Sequence, residues 1–420
     1  MSLFRTSFWT GLTTMLKVVL NYVMWKIIAV RVGPVGIAVI EQFQSFIQIS
    51  RVSIPSGINE GIVKYVSEYQ DNEKKKADII SNAMAMNIAI FGISFLILTV
   101  FSRYFSHLVF QTDNHQKLII LMGSCIILFI VNNFCLSLLN AHMEVKKYVM
   151  GMIANSLLNF ILTSYLIIHY GLEGGLIGFA LNQTILGLFS AYLVVRSKWF
   201  NIKIFFSKIN RDCIIKLAKY SCIPLSAALL TPIASFFLTQ YVVHSLSWES
   251  AGYWQAMMRL SSAYLIVMAM VFGFYFIPKF SSLKENSSLK KEIIKSHYAI
   301  FPLIIVGSVL IFLFKKQIIV IIYSTKFMPV IPLFKYQLVG DVARASTWIL
   351  KNIFVAKAMV KICIATEVVF ILLNILLTVI FVHYCGLIGT AIAFAINYIL
   401  FWIVMIVLSL KYLNTKQERC

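Results

Sequence analysis

Apolar residues run along this chain in blocks of about twenty, the length a helix needs to cross a bilayer. The blocks fall at 9–30, 34–57, 79–101, 117–140, 148–170, 174–195, 220–243, 250–277, 297–314, 331–355, 358–382 and 386–410, and they predict twelve transmembrane helices. The tenth is the most informative. Within its sequence IPLFKYQLVGDVARASTWILKNIFVA, residues Gln337, Asp341, Arg344, Trp348 and Lys351 follow 4, 3, 4 and 3 spacing. On a helix they form a single polar stripe. Ionisable groups at membrane depth are costly and face the protein interior or a water-filled path. The stripe therefore marks either a salt bridge between Asp341 and Arg344 that locks the helices together, or a path for substrate and ion.

Composition agrees with the pattern. Hydrophobic residues make up 60% of the 420 and charged residues 13%, against about a quarter charged in a soluble domain. The chain reads as an all-α integral membrane protein. Its first apolar block lacks a small-residue cleavage site and contains Lys17, Asn21 and Lys26, so it reads as helix 1 and not as a removable signal peptide. The seven cysteines (125, 135, 213, 222, 363, 385 and 420) show no metal or disulfide spacing. They are expected to be reduced packing residues, and no metal or cofactor is expected.

A net charge of +21 would point to nucleic acid in a soluble protein, but here the question is which loops hold it. With the N-terminus inside, 25 of the 37 Lys and Arg lie on that side, seven lie in the outer loops, and five (Lys17, Lys26, Arg51, Arg259 and Arg344) lie within spans. Both termini are therefore expected in the cytoplasm, and no nucleic acid is expected as a partner. The segment NEGIVKYVSEYQDNEKKK, 59–76, reads as the cytoplasmic loop between helices 2 and 3, its basic run meeting the headgroups of membrane lipids. The intramembrane acids are only Glu41, Asp341 and Glu367. A bundle interior with net positive charge suits an anionic substrate.

Further polar faces recur. Helix 2 carries Glu41, Gln44, Ser45, Gln48 and Arg51, helix 8 carries Gln255, Arg259 and Ser262 beside Trp254, and helix 11 carries Glu367 and Asn374. Arg259 lies about 12 Å into its helix at 1.5 Å per residue, away from the surface. For the neutral groups the simpler reading is hydrogen bonding between helices. A carboxylate at such depth is a plausible proton carrier.

The twelve blocks resolve into two sets of six. At an offset of 214 to 217, Gly36 matches Gly252, Asp78 matches Glu292, Gly123 matches Gly340, Lys146 matches Lys361, Asn159 matches Asn374, and His169-Tyr170 matches His383-Tyr384. Scarce residues matching in order at nearly constant offset mark an internal repeat. Six helices per repeat preserve orientation and predict two parallel six-helix bundles around a central cavity. The boundaries expected are 1–196 and 220–410, with a basic linker at 197–219 and a tail at 411–420. No Walker A, His-Glu-x-x-His or nucleophile-elbow sequence is present. ATP-driven transport and recognised hydrolase chemistry lack support, and the chain is not expected to be an enzyme.

The opening MSLFRTSFWTGLTTMLKVV, the turn RVGPVG, the segment GINEGIVKYVSEYQDN, the run SWESAGYWQAMMRLSSAY, and above all LFKYQLVGDVAR with the following AKAMVK resemble the flippases of O-antigen and enterobacterial common antigen units. These form the polysaccharide-transporter branch of the multidrug, oligosaccharidyl-lipid and polysaccharide exporter superfamily. The resemblance implies an undecaprenyl-diphosphate-linked oligosaccharide moved by alternating access from the cytoplasmic to the periplasmic leaflet of a bacterial inner membrane. The residues read above fit such a substrate: Arg259, Arg344, Lys17 and Arg51 offer cations to the diphosphate, and Gln337, Gln255, Trp254 and Trp348 offer hydrogen-bonding and aromatic surface to the sugar. Asp341, Glu367 and Glu41 are then candidates for the coupling ion, expected to be a proton. A glycan polymerase and a chain-length regulator are the protein partners it implies. The alternatives are a drug or cation antiporter of the same superfamily, which typically uses a carboxylate in helix 1 where this chain has Lys17 and Lys26, and a membrane glycan polymerase or acyltransferase.

Overall fold

The computed structural model describes residues 3–52, 56–69, 72–182, 184–207, 209–283, 285–357 and 359–415, so residues 416–420 of the expected tail, Cys420 among them, lie outside the described residues. The described residues are helical almost throughout, with no strand. They group into two compact units, Met1–Val32 with Val39–Phe236, and Gly33–Ala38 with Phe237–Cys420.

The first unit is built from most of α1 (Leu3–Val52), α2 (Ser56–Glu68), α3 (Glu73–Val100), α4 (Ser102–Phe110), α5 (Gln116–Ala141), α6 (Val145–Leu181), α7 (Thr184–Val195) and most of α8 (Arg211–Ser245). The expected turn RVGPVG is a one-residue break: Gly33 takes φ 67° and ψ −165° inside α1, immediately before Pro34. The segment read as the loop between helices 2 and 3 is largely α2. Ile58, Ile62 and Val66 recur at four-residue spacing on its buried face and pack with Ile79, Ile80 and Ala83 of α3 and with Leu138 and Leu139 of α5. An apolar stripe of that period buries itself rather than remaining in solvent. After α7 the linker crosses α3, where Ser81 Oγ donates to the Ser207 carbonyl (3.0 Å) and Asn82 Oδ1 accepts from the Asn210 amide (2.8 Å).

The second unit comprises α9 (Trp248–Ser282), α10 (Asn286–Leu313), α11 (Lys315–Ile322), α12 (Phe334–Ala356), α13 (Val360–Cys385) and α14 (Leu387–Thr415), with the end of α8. The Ser247 side chain caps α9 by accepting from the Ser250 amide at 3.0 Å, satisfying one of the free N–H groups of its first turn. The helix expected over 331–355 starts slightly later, because Thr325–Leu333, with Pro329 and Pro332, is 3₁₀. Helix α12 packs against α9, α10 and α14. At Gly340 an added Cβ would lie 2.5 Å from the Phe394 ring, so the absence of a side chain lets α14 press that ring against α12.

The repeat extends to the backbone. Gly171 in α6 takes φ 58°, ψ −134°, and Gly386, 215 residues later, takes φ 58°, ψ −139°. Three residues on, a Cβ at Gly174 would lie 2.0 Å from the Leu166 carbonyl oxygen, and one at Gly389 would lie 2.0 Å from that of Phe381. The left-handed conformation suits glycine. In each unit the chain folds back on one glycine and packs backbone to backbone on a second.

Among the described residues, seven stretches are long and apolar enough to cross a membrane by themselves. Helix α12 is not among them. Its polar stripe lowers its hydropathy: Gln337 and Asp341 are buried inside the second unit, and Arg344, Trp348 and Lys351 are half-buried.

Candidate functional site

The site grows from α12. Asp341 is 1% exposed and Gln337 0%, a depth at which a charged or amide group requires partners. Asp341 finds them on α9: its two carboxylate oxygens accept from the hydroxyls of Ser261 and Tyr264. Gln337 Nε2 donates to the same Ser261 Oγ at 3.3 Å, so one hydroxyl links two members of the stripe. The Gln337 carbonyl oxygen has no hydrogen-bond partner.

Arg344 lies one turn further along and does not hydrogen-bond Asp341. Its guanidinium carbon stands 5.1 Å from the Trp348 ring centre, 5.3 Å from Tyr398 and 6.0 Å from Phe394. Three aromatic faces hold the cation through their quadrupoles, and its buried Nε has no hydrogen-bond acceptor. A guanidinium offers five donors in a fixed fork matched to phosphate or carboxylate. Here the rings fix its position without using those donors. The arrangement is a preorganised cation, with a buried carboxylate and an amide beside it on the same helix face.

The remaining candidates of this unit divide by packing. Lys351, the last member of the stripe, pairs with Glu367 of α13. Gln255 is buried and donates to Thr239 Oγ1 at 2.7 Å, and Trp254 is 6% exposed in a cluster with Leu238, Val242, Ala251 and Val382. Arg259 is half-buried. The α9 face that meets α12 runs through Met258, Ser261 and Tyr264. The sequence reading used the neighbouring face of Gln255, Arg259 and Ser262. A signal for the true face was present in the three-residue spacing of Met258, Ser261 and Tyr264.

A family model described as polysaccharide biosynthesis protein matches residues 3–284. The chain belongs to that family. It is similar to the Lipid III flippase of Escherichia coli (strain K12) and to that of Shigella flexneri, 25% identical over 407 residues that cover 96% of this chain and 97% of each relative. Among solved structures it is similar to the inward-facing conformation of a multidrug resistance MATE family transporter of the MOP superfamily, with TM-score 0.81, 15% identity and 96% of both chains covered. It is also similar to a MOP superfamily transporter from Pyrococcus furiosus whose binding pocket is described as reversed in polarity, with TM-score 0.69, 14% identity and 97% and 95% of the two chains covered. These likenesses identify the fold. Like them, this family member is a multi-pass membrane protein.

In the first unit the candidates are dispersed. Arg51 Nη2 donates to the Asn182 carbonyl at 3.1 Å, and its guanidinium lies 4.5 Å from the Phe129 ring centre, tying α1 to α5 and α6. Glu41 is half-buried, and Lys17 is exposed on α1. The neutral polar groups include interhelical hydrogen bonds, as when Ser190 donates to Asn132 Oδ1 at 2.6 Å between α7 and α5. Cys125 and Cys135 are buried and form no disulfide, and the Cys222 side chain lies outside those described.

Proposed function

We propose that the protein moves an undecaprenyl-diphosphate-linked oligosaccharide across the bacterial inner membrane by alternating access. The observation that carries the reading is Arg344, a membrane-depth guanidinium held by three aromatic rings with its fork left free of protein acceptors. Such a cation matches a diphosphate, and Gln337 and Trp348 beside it supply the amide and aromatic surface that sugars use. The name of the flippases it resembles agrees with this chemistry. Transport and not bond-making is the reading, with two six-helix repeats, 1–196 and 220–410, as the moving parts and both termini in the cytoplasm. Arg259, Lys17 and Arg51 are the further diphosphate candidates, Arg51 being the least available because its guanidinium is engaged within its own unit.

The same reading assigns coupling to a proton taken up by Asp341, the only one of the three intramembrane candidates that is fully buried. Glu367 already pairs with Lys351, which makes it the second candidate, and Glu41 the third. Lipid-linked glycan delivered to the outer leaflet would pass to a polymerase and its chain-length regulator. The test is complementation of a strain lacking its own lipid-linked oligosaccharide flippases. Restored surface glycan is expected. Accumulation of lipid-linked units on the cytoplasmic side despite normal expression would contradict the reading.

A further inference from the structure

A groove of about 380 Å³ lies between α10 and α14 of the second unit, apart from the Asp341 site. Lys290, His297, Tyr298, Trp402, Ser409 and Leu413 are among its lining residues. Its walls are otherwise aliphatic, and neighbouring residues of the same helices, Leu303, Val306, Ile403 and Val407, are exposed apolar side chains of the kind that face lipid. Two polar groups in the wall are unsatisfied. Ser409 is 4% exposed and its hydroxyl has no partner, and the Trp402 indole N–H has none either. A buried hydroxyl without a partner carries an uncompensated desolvation penalty, which is recovered when an occupant supplies an oxygen.

One exposed lysine, Lys290, lines the groove. Lys291 and Lys295 are exposed on the same first turns of α10, and Lys411 near the end of α14. Two acids lie on the same turns: Glu292 accepts from the Tyr275 hydroxyl at 3.0 Å and Glu285 from the Ser288 hydroxyl at 3.2 Å. The internal repeat offers a comparison. Tyr298 and Leu350 in this groove correspond, at offsets of 214 and 215, to Met84 and Cys135, which line a groove of about 420 Å³ in the first unit. There the linker residues Phe200, Phe205 and Phe206 form part of the wall, and no basic residue lines it among the described residues. The equivalent place in the second unit is walled by α14 and has a lysine at its mouth.

We propose that the α10–α14 groove is a binding site for one anionic phospholipid of the leaflet on the basic side. The acyl chain lies along the aliphatic wall, the phosphate meets Lys290, and Ser409 donates to an oxygen near the headgroup. Basic pockets between transmembrane helices on the cytoplasmic side are suited to anionic headgroups, and the paired features, a cation at the mouth and buried donors within, match the two ends of such a lipid. The site is independent of the Asp341 region and of the transported substrate.

The test uses the purified full-length protein exchanged into equimolar phosphatidylglycerol and phosphatidylcholine, with retained lipid read by native mass spectrometry. Wild type is expected to retain one phosphatidylglycerol in preference to phosphatidylcholine. Lys290→Glu, a surface change, is expected to lower that retention by about tenfold, and Ser409→Leu, which fills the groove, to remove it. Should Ser409→Leu fail to fold, Lys290→Glu alone decides. Equal retention of the two lipids, unchanged retention in Lys290→Glu, or displacement of the bound phospholipid by undecaprenyl phosphate would overturn the proposal.

Discussion

Tyr264 of α9 donates its hydroxyl to the carboxylate of Asp341, 77 residues away on α12. With Ser261 on the second oxygen, this joins the two helices through an acid that has no guanidinium against it. If the acid carries the transported proton, Asp341→Asn keeps an acceptor for one hydroxyl but can no longer change charge. Gradient-driven accumulation of lipid-linked glycan is expected to fall at least tenfold while binding and downhill exchange persist. If the acid only braces the helices, binding itself is lost. Comparing uptake with and without an imposed proton gradient in reconstituted vesicles separates the two.

Removing Arg344 is expected to weaken diphosphate binding strongly. A hydrogen bond to a charged group contributes about 1.5–3 kcal/mol, so Arg344→Ala should bind roughly ten- to a hundredfold more weakly. Arg344→Lys keeps the charge but loses the planar fork and the stacking on Trp348 and Tyr398, and should recover only part of the affinity. Titration with undecaprenyl diphosphate by tryptophan fluorescence checks the order wild type, Lys, Ala.

The paired glycines make a stability prediction. A Cβ at Gly174 or at Gly389 would lie 2.0 Å from a carbonyl oxygen, and overpacking of this kind costs about 1–3 kcal/mol or more. Either Gly→Ala change should lower the melting temperature in detergent. Gly92→Ala, with nothing within 4 Å of its added Cβ, should not.

At the end of α5 the His142 ring stacks on Trp199 of the linker, with centroids 3.8 Å apart and planes 5° apart, and Trp199 Nε1 donates to Glu144 Oε1 at 2.8 Å. Burial pushes the His142 pKa below its ordinary value of about 6.5, with the Leu138 carbonyl opposing and Lys76 adding to the fall. Burial raises that of Glu144, but hydrogen bonds from Lys147, Ser197 and Trp199 outweigh it and hold the carboxylate below its ordinary range. A depressed histidine favours the folded state above its unfolded pKa, and that contribution is lost as pH falls towards the folded value. Amide protection factors in residues 197–206, taken relative to the intrinsic exchange rate at each pH, should therefore fall between pH 7.5 and pH 5.5. His142→Gln should abolish that fall.

Much of this was legible in the chain. The 4-3-4-3 stripe located α12, whose Gln337 and Asp341 are buried, and the residue matches marked the repeat, but they did not reveal the glycine folds at Gly171 and Gly386. What helix spacing does not reveal is a partner on another helix. Arg344 lies within one turn of Asp341, and only the packing of α9 on α12 supplies Ser261 and Tyr264 in its place. Trp254 looks amphipathic in sequence, yet its side of α9 meets Leu238 and Val382 and is closed off. The segment after helix 2 reads as a loop because its charges mask an apolar spacing of four, which makes α2 a packed helix.

The most direct test is flipping of a fluorescent undecaprenyl-diphosphate-linked oligosaccharide in proteoliposomes, read as the fraction protected from a membrane-impermeant quencher over time. Wild-type protein is predicted to exchange the label between leaflets and Arg344→Ala to hold it at the level of protein-free vesicles, with both proteins inserted equally. Equal flipping by wild type and Arg344→Ala, or none by either, would contradict the account.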